Sequence, residues 1–227
     1  MCKLFQYRLD SQGWLLALTG AYCVIAVMMN YLCMKPLTFG TSFVWMDGGL
    51  VVSWMVFLIS NVITEVYGKK VAVRVAAIAG VVAFFTSLVA MLEVFLPTLP
   101  EYHDQSVHFA HIFGNAPRTI VSSALAFFLG NLVNVEIIDV MKRRVAGRDN
   151  GGRFFSRAVF STIIGQLVDN GVFQVVAFAP VGLSIYEMRW VDIFTAVGMS
   201  TVFEASVEAL FVPVLTIPLT KYLKKKL

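Results

Sequence analysis

Ionisable and amide side chains recur at helical spacing inside otherwise apolar parts of this chain. Two sets of three have the spacing i, i+3 and i+4, which places the members of each set on one face of a helix. The sets are Asn61, Thr64 and Glu65, and Gln166, Asp169 and Asn170. Asn131 with Asn134, and Glu204 with Glu208, are spaced similarly. Carboxylates and amides on one face can carry protons or bind a solute rich in hydrogen-bond donors.

These side chains sit where polar groups are costly. Asn61, Asn131, Gln166, Asp169 and Glu204 all fall at a similar depth inside apolar stretches. A carboxylate at the centre of a bilayer costs about 2.5–3.5 kcal/mol on insertion scales. A hydrogen bond between membrane helices returns only about 0.6 kcal/mol. We therefore expect a functional polar cavity rather than contacts that merely hold helices together.

No base is available to the central acids, because every Lys and Arg lies near the end of an apolar stretch. Asp169 and Glu204 can then be protonated and hydrogen-bonded, can carry protons in a transport cycle, or can bind a donor-rich ligand. Glu65 lies nearer the inner end of its stretch, where an ion pair with Arg74 is an alternative to a binding role.

The composition indicates that the helices carrying these residues lie in a membrane. Of the 227 residues, 58% are apolar and 14% are charged, against about 25% charged residues in soluble domains. Residues 13–34 form an uncharged run of 22, long enough to cross a bilayer as a helix. We predict an all-α polytopic bundle of six transmembrane helices in one domain, residues 1–227. The spans are roughly 13–34, 48–67, 71–95, 118–141, 155–180 and 191–220.

The basic residues predict the orientation of this bundle. Only Lys35, Arg118 and Arg189 lie on one side of the predicted membrane, and the other 15 of the 18 basic residues lie on the opposite side. Cytoplasmic loops carry the excess of Lys and Arg, so both termini are predicted to be cytoplasmic.

The sequence lacks the motifs of several classes of function, namely nucleic-acid binding, metal binding and catalysis. The basic residues mark helix ends and form no stripe of the kind that binds nucleic acid. His108 and His111, in a predicted outer loop at 97–117, have no third ligand at firm spacing, so we expect neither a metal site nor a cofactor. A membrane-embedded enzyme needs a nucleophile with a base, or a metal triad, at one depth. No histidine lies inside a span, and the chain has no phosphate-binding loop for ATP hydrolysis.

Small residues repeat every four positions along several predicted spans. Such faces let helix backbones approach closely in lipid. Examples are Gly13, Ala17 and Ala21; Ala72, Ala76 and Gly80; Ser122, Ala126 and Gly130; and Ser161 with Gly165. A tightly packed bundle accounts for most of them, and the face beginning at Gly13 would also suit a partner helix.

A cavity lined by carboxylates and amides favours a small, nitrogen-rich solute. A planar heterocycle with adjacent N–H and NH₂ groups, such as the pairing edge of guanine, can donate two parallel hydrogen bonds to a carboxylate. An amide can satisfy its carbonyl. Aromatic residues that could stack on such a ring are Phe57, Tyr67, Phe127, Phe173 and Phe178.

Four segments of the chain resemble the queuosine precursor transporter family, a group of six-span bacterial inner-membrane proteins. The first two are SNVITEVYGKK (60–70) and STIIGQLVDNGVFQVVAF (161–178). The others are MNYLCMKP (29–36) and APRTIVSSALAFFLGNLVN (116–134). Pro213 before the basic tail also matches. The matches occur in the family's order, and the resemblance extends along nearly the whole chain.

The resemblance implies import of 7-cyano-7-deazaguanine or 7-aminomethyl-7-deazaguanine for tRNA modification, across a bacterial inner membrane. It also implies kinship with the substrate-binding components of vitamin transporters. By the family's pattern, Asn61, Glu65, Arg118, Asn131, Asn134, Gln166 and Asp169 bind substrate. Glu204 joins them from the depth argument and stands close to where the family places a Lys, and an acid there suits the cationic aminomethyl form. Uptake of a vitamin by the binding subunit of an ATP-driven complex stays open, as do a homodimer and the mode of energy coupling.

Overall fold

The computed structural model describes residues 11–33, 35–37, 46–113, 116–145, 151–181 and 187–225. The side chains of Pro36, His111, Val145 and residues 116–120 and 151–152 are outside this description.

Helices dominate the described chain. In order, the elements are α1 (Ser11–Leu32), β1 (Pro36–Leu37), β2 (Met46–Asp47), α2 (Leu50–Tyr67), α3 (Lys69–Glu93), a 3-10 turn (Pro100–Tyr102), α4 (His103–Phe113), α5 (Ala116–Val145), α6 (Gly151–Phe178), α7 (Trp190–Phe211), a π-helical segment (Val212–Thr216) and α8 (Ile217–Lys224). Six stretches are long and apolar enough to cross a membrane: Ser11–Leu32, Leu50–Tyr67, Lys69–Glu93, Val121–Arg144, Arg153–Phe178 and Trp190–Lys224. The all-α polytopic bundle with six spans is thus confirmed.

Two local features differ from the sequence prediction. The expected outer loop at 97–117 contains the helix α4, in which Asp104 occupies the first turn. Between α1 and α2 the chain forms a two-residue antiparallel pair, with Pro36 opposite Asp47 and Leu37 opposite Met46. A ladder this short carries no alternating pattern that a sequence could reveal.

The surface of the bundle is apolar, and its interior holds both apolar and polar side chains. Large apolar side chains such as Leu16, Val89, Val202 and Leu210 are exposed on the helix surfaces. The amides and acids at mid-span are buried, among them Asn61, Asn131, Asn134, Gln166, Glu204 and Glu208. An apolar surface with polar side chains turned inward suits helices surrounded by lipid.

The sixth span is continuous but changes its hydrogen bonding part-way. The π-helical segment at Val212–Thr216 includes Pro213, and α8 continues from it. Pro213 has no N–H to donate to the carbonyl four residues earlier, so the regular α-helical ladder cannot pass through it. Short π segments of this kind often lie near functional side chains. Glu208 lies on the turn of α7 just before it.

Gly68 makes the turn from α2 to α3. Its backbone has φ 87° and ψ 163°, a conformation that only glycine adopts without strain. This turn places Lys69 at the start of α3.

The closest helix pair is α5 and α6, which share the most extensive contact in the described chain. A Cβ atom added to Gly130 would lie 2.6 Å from Cβ of Asp169 and 2.9 Å from the Gly165 carbonyl oxygen. A Cβ atom on Gly165 would lie 2.8 Å from Cβ of Asn134. The two glycines thus let the backbones cross close enough to bring Asp169 and Asn134 against the opposite helix.

The predicted small-residue faces divide into two groups. On α3, α5 and α6 they are turned inward, with Ala72, Ala76, Ala126 and Ser161 buried. On α1 the buried side chains are instead Leu18, Tyr22 and Ala26, and the face with Ala17 and Ala21 is exposed. The bundle therefore explains all of these faces except the one on α1.

Gly130→Ala should destabilise the protein by about 1–3 kcal/mol, the usual cost of overpacking, because the new methyl group meets Asp169 and the α6 backbone. Gly171→Ala is the matched control on α6, since a Cβ there meets no atom within 4 Å and gains about 0.5–1 kcal/mol of helix propensity. Thermal unfolding of the detergent-purified variants measures both. Equal unfolding temperatures for the two variants would contradict the close crossing.

Candidate functional site

A polar cavity lies between α1, α2, α5, α6 and α7, at the end of the bundle where α1 ends and α2 begins. It holds about 380 Å³ of space free of atoms, part of it open to the outside. Its lining residues are Met29, Asn30, Cys33, Asp47, Gly49, Leu50, Ser53, Ser123, Ala126, Asp169, Asn170, Phe173 and Glu204. On the predicted orientation it opens toward the outer face of the membrane.

Three carboxylates from three separate elements line this cavity. Asp47 comes from β2, Asp169 from α6 and Glu204 from α7. No Lys or Arg is among the lining residues in the part of the chain that the structure describes. The cavity is therefore an acidic site suited to a cationic or donor-rich solute.

Glu204 is held firmly on both of its oxygens. Ser53 donates its hydroxyl to Oε1, and the Asn170 amide donates to Oε2 at 2.8 Å. The same amide nitrogen lies 3.3 Å from the hydroxyl oxygen of Thr201. These bonds fix the carboxyl between α2 and α6 and leave it at the cavity wall.

One oxygen of the Asp169 carboxylate makes no hydrogen bond. Its side chain is almost wholly buried, yet Oδ1 has no hydrogen-bond partner. Buried polar atoms are nearly always hydrogen-bonded. A carboxylate oxygen without a partner in a cavity wall is therefore a strong indication that a donor binds there.

Asp47 lies at the mouth of the cavity, just before α2. Its Oδ1 accepts the Gly49 backbone N–H at 2.9 Å. Burial raises the pKa of this carboxyl to about 6, against the opposing effect of backbone N–H donors at Gly49 and Leu50. Asp47 therefore changes its charge within the physiological pH range.

A second group of polar side chains, the inner polar network, lies deeper in the bundle and consists of Asn61, Asn134, Thr162 and Glu208. Oε1 of Glu208 accepts the Thr162 hydroxyl at 2.6 Å and the Asn61 amide at 2.8 Å. The Asn134 amide donates to Oδ1 of Asn61 at 2.9 Å. The network joins α2, α5, α6 and α7, and its members lie outside the cavity lining.

Asn131 and Gln166 are both fully buried, but their surroundings differ. Asn131 accepts the Tyr22 hydroxyl at 2.5 Å and donates to the Phe127 carbonyl at 2.9 Å. It thus links α1 to α5. Both polar atoms of the Gln166 side chain lack a partner, so this amide remains able to bind another group.

Glu65 belongs to a cluster of charges at the opposite end of the bundle, with Arg157, Lys142 and Lys224. The Arg157 guanidinium lies 3.3 Å from Oε2 of Glu65, and the Lys224 ammonium lies 2.5 Å from Oε1. Lys142 lies 3.8 Å from Oε1 and donates to the Glu65 backbone carbonyl at 2.9 Å. The alternative of an ion pair with Arg74 is not what the structure shows: these three cations pair with Glu65, and Arg74 is exposed on α3.

The charges of this cluster come from spans far apart in the chain. The ends of α2, α5, α6 and α8 that were predicted to be cytoplasmic meet there. At the same end, Lys69 at the start of α3 pairs with Glu136 on α5. The structure thus gathers predicted inner ends at one side of the bundle, opposite the cavity.

The comparison with protein families decides the class of this membrane protein. The family described as "Putative vitamin uptake transporter" matches residues 47–217. The chain belongs to this family. No curated protein and no solved structure matches it.

The segment that matches this uptake-transporter family begins at Asp47 in β2 and ends at Ile217, the first residue of α8. It contains all three cavity carboxylates and the whole inner polar network. The function class is therefore uptake of a small solute by a multi-pass membrane protein.

The structure separates the residues that were expected to bind substrate. Asp169 and Glu204 line the cavity. Asn61, Asn134, Asn131 and Gln166 lie outside its lining, and Glu65 lies in the charge cluster at the other end. Arg118 lies in the first turns of α5, with its side chain outside the described part of the chain. Of the five aromatic residues considered for stacking, Phe173 lines the cavity.

Several cavity residues were missed as site residues. Asp47 immediately precedes the predicted second span, and a lone acid at a span boundary was a usable signal. Asn170 has the same helical spacing as Asp169 and was noticed only as part of that pattern. Ser53, Asn30 and Ser123 carried no signal, because single hydroxyls and amides in apolar helices are common.

Glu65→Gln should destabilise the protein by about 3 kcal/mol, because the buried Arg157 loses its carboxylate partner. Glu136→Gln is the control: it breaks the more exposed pair with Lys69 and should cost at most about 1 kcal/mol. Thermal unfolding in detergent distinguishes the two. A larger loss for Glu136→Gln would be inconsistent with the cluster as the main electrostatic contact at this end.

Proposed function

We propose that this transporter imports 7-deazaguanine precursors of queuosine, 7-cyano-7-deazaguanine or 7-aminomethyl-7-deazaguanine, across a bacterial inner membrane for tRNA modification. Membership of an uptake-transporter family supports the class of activity. The observation that carries the substrate proposal is the free oxygen of Asp169 in an acidic cavity. The ordered resemblance of four segments to the queuosine precursor family points in the same direction.

The cavity offers what a guanine-like edge requires. Asp169 would accept the ring N–H and the exocyclic NH₂ as two parallel hydrogen bonds. The Asn30 amide at the wall would supply a donor for the carbonyl of the base, since its NH₂ group is not used by the Ser123 hydroxyl that binds its oxygen. Phe173 would pack against the ring face, as aromatic side chains do with flat heterocycles. Each of these side chains lines the same space.

The charge of the cavity favours one of the two deazaguanines. The aminomethyl form carries a cation, whereas the cyano form is neutral. Asp47, Asp169 and Glu204 together attract a cation, and no basic side chain among the described lining residues opposes it. We therefore expect the aminomethyl compound to bind more tightly than the cyano compound.

A second candidate is uptake of a vitamin by this chain as the binding subunit of an ATP-driven complex. The description of the family favours a vitamin as the solute. The exposed face of α1 with Ala17 and Ala21 leaves room for a partner helix or a second copy. The two candidates differ in the solute that stabilises the protein, so one panel of solutes distinguishes them.

Binding of a deazaguanine should raise the unfolding temperature of the purified protein, and Asp169→Asn should weaken binding about ten- to a hundredfold. That range corresponds to the loss of a hydrogen bond to a charged group, about 1.5–3 kcal/mol. Asp192→Asn is the matched control, since it removes an acid paired with Arg189 at the start of α7. Guanine and several vitamins complete the panel. Stabilisation by a vitamin alone would reject the deazaguanine proposal in favour of the second candidate.

Binding of the cationic aminomethyl compound should strengthen as the pH rises through about 6. Asp47 is neutral below its raised pKa and charged above it, and a cation binds better to the charged carboxylate. In Asp47→Asn the component of the pH dependence centred near 6 should disappear. Isothermal titration calorimetry across that range measures the effect. An unchanged profile in the variant would show that Asp47 does not contact the cation.

A further inference from the structure

Glu208 is a buried carboxyl that the proposed binding site does not use. It lies one helical turn beyond Glu204 on α7, on the side away from the cavity. Both donors that reach it, Thr162 and Asn61, bind Oε1, and Oε2 has no partner although it is buried. One oxygen is thus fixed as an acceptor while the other is free to carry a proton.

The charged groups that face Glu208 are all acidic. Its electrostatic partner is Glu204 on the same helix, and Glu204 in turn interacts with Asp169 from α6 and Asp47 from β2. The groups that contact it from α2 and α6 are the neutral Asn61 and Thr162. Within the described residues no cation pairs with Glu204 or Glu208. A carboxylate in such a place is stabilised by a proton or by a cationic solute.

Polar groups continue from Glu208 in both directions. Toward the cavity, Glu204 lies four residues earlier on α7 and contacts the open space. Toward the opposite end, Asn61 contacts Glu208, and Glu65 follows Asn61 by one turn of α2, about 6 Å along the axis. Glu65 meets Lys142 and Lys224, whose side chains are partly exposed.

Unpartnered buried atoms accompany this line of polar groups. Besides Oε2 of Glu208, they include both polar atoms of Gln166, Oδ1 of Asn134 and the Ser60 hydroxyl. Buried polar atoms of this kind are commonly satisfied by internal water. Chains of acids, amides and water in membrane helices are the usual route for protons.

We propose that Glu208 is the proton-carrying group that couples solute uptake to a proton gradient. Glu204 takes a proton from the cavity and passes it to Glu208, which releases it by way of internal water beside the inner polar network toward the Glu65 cluster. Each carboxyl is regenerated when its proton leaves, so the proton crosses the membrane unchanged and only its gradient is spent. The proposal rests on the transport function above and adds the source of its energy.

Glu208→Gln tests this role without disturbing the packing. The glutamine carbonyl can accept both bonds now made to Oε1, and its NH₂ group replaces Oε2 as a hydrogen-carrying group. The variant therefore imitates a permanently protonated Glu208. Because Glu208 does not line the cavity, the variant should bind 7-aminomethyl-7-deazaguanine as tightly as the unmodified protein does. Thermal stabilisation in detergent measures this binding.

The decisive measurement is accumulation of labelled 7-aminomethyl-7-deazaguanine in proteoliposomes, with the membrane potential clamped. A gradient of about one pH unit with one proton per solute supports about tenfold accumulation. The unmodified protein should approach that ratio, whereas Glu208→Gln should only exchange solute and stay near equal concentrations. Glu93→Gln, an exposed acid at the end of α3, is the control that should accumulate normally. Glu208→Asp, which keeps the carboxyl, should retain part of the coupling.

Accumulation by Glu208→Gln equal to that of the unmodified protein would overturn the proposal. A second measurement does not depend on the solute. The carboxylic acid stretching band in the infrared difference spectrum between acidic and alkaline buffers should lose a component in Glu208→Gln. An unchanged spectrum would show that Glu208 does not titrate and would also overturn the proposal. Failure of both deazaguanines to bind would reject the substrate proposal, while the spectrum would still report on Glu208.

Discussion

The structure depends on one electrostatic constraint: carboxyl groups are buried in an apolar bundle at a depth where, among the described residues, no cation reaches them. Hydroxyl and amide donors, rather than cations, bind both oxygens of Glu204 and one oxygen of Glu208. Neutral donors hold a carboxyl in place without cancelling its charge, so it remains able to bind a proton or a cation. A buried salt bridge at the same position would be structurally satisfied and chemically inert.

The cations are instead gathered at the other end of the bundle. There Glu65 receives Arg157, Lys142 and Lys224 and ties four helices together. This end is closed by charge pairs, while the cavity end is open and acidic. The same type of side chain, a glutamate on an apolar helix, thus pairs with cations in one place and is held by neutral donors in the other. What decides between them is whether a cation lies within reach.

The close crossing of α5 and α6 connects packing to chemistry. Gly130 and Gly165 let the two backbones meet, and Asp169 and Asn134 are the side chains beside that contact. A bundle in lipid gains little from hydrophobic burial, so close van der Waals contact and a few polar bonds hold it together. Asp169 is therefore placed by the tightest part of the packing, which gives the cavity a rigid wall on one side.

By itself, the sequence determined that the helices lie in lipid, that there are six spans, and how deep the polar groups lie along them. Each of these follows from properties of single helices: length, hydropathy and the spacing of residues along one helix. The acids Asp169 and Glu204 could be selected in this way, because a charge in an apolar run is costly wherever the helix lies. The tertiary structure alone decided which groups meet. It separated Glu65 from the cavity, brought in Asp47 from a span boundary, and paired Glu208 with Asn61 and Thr162. Such partnerships depend on the rotation and crossing of whole helices, which residue spacing along a single helix cannot specify.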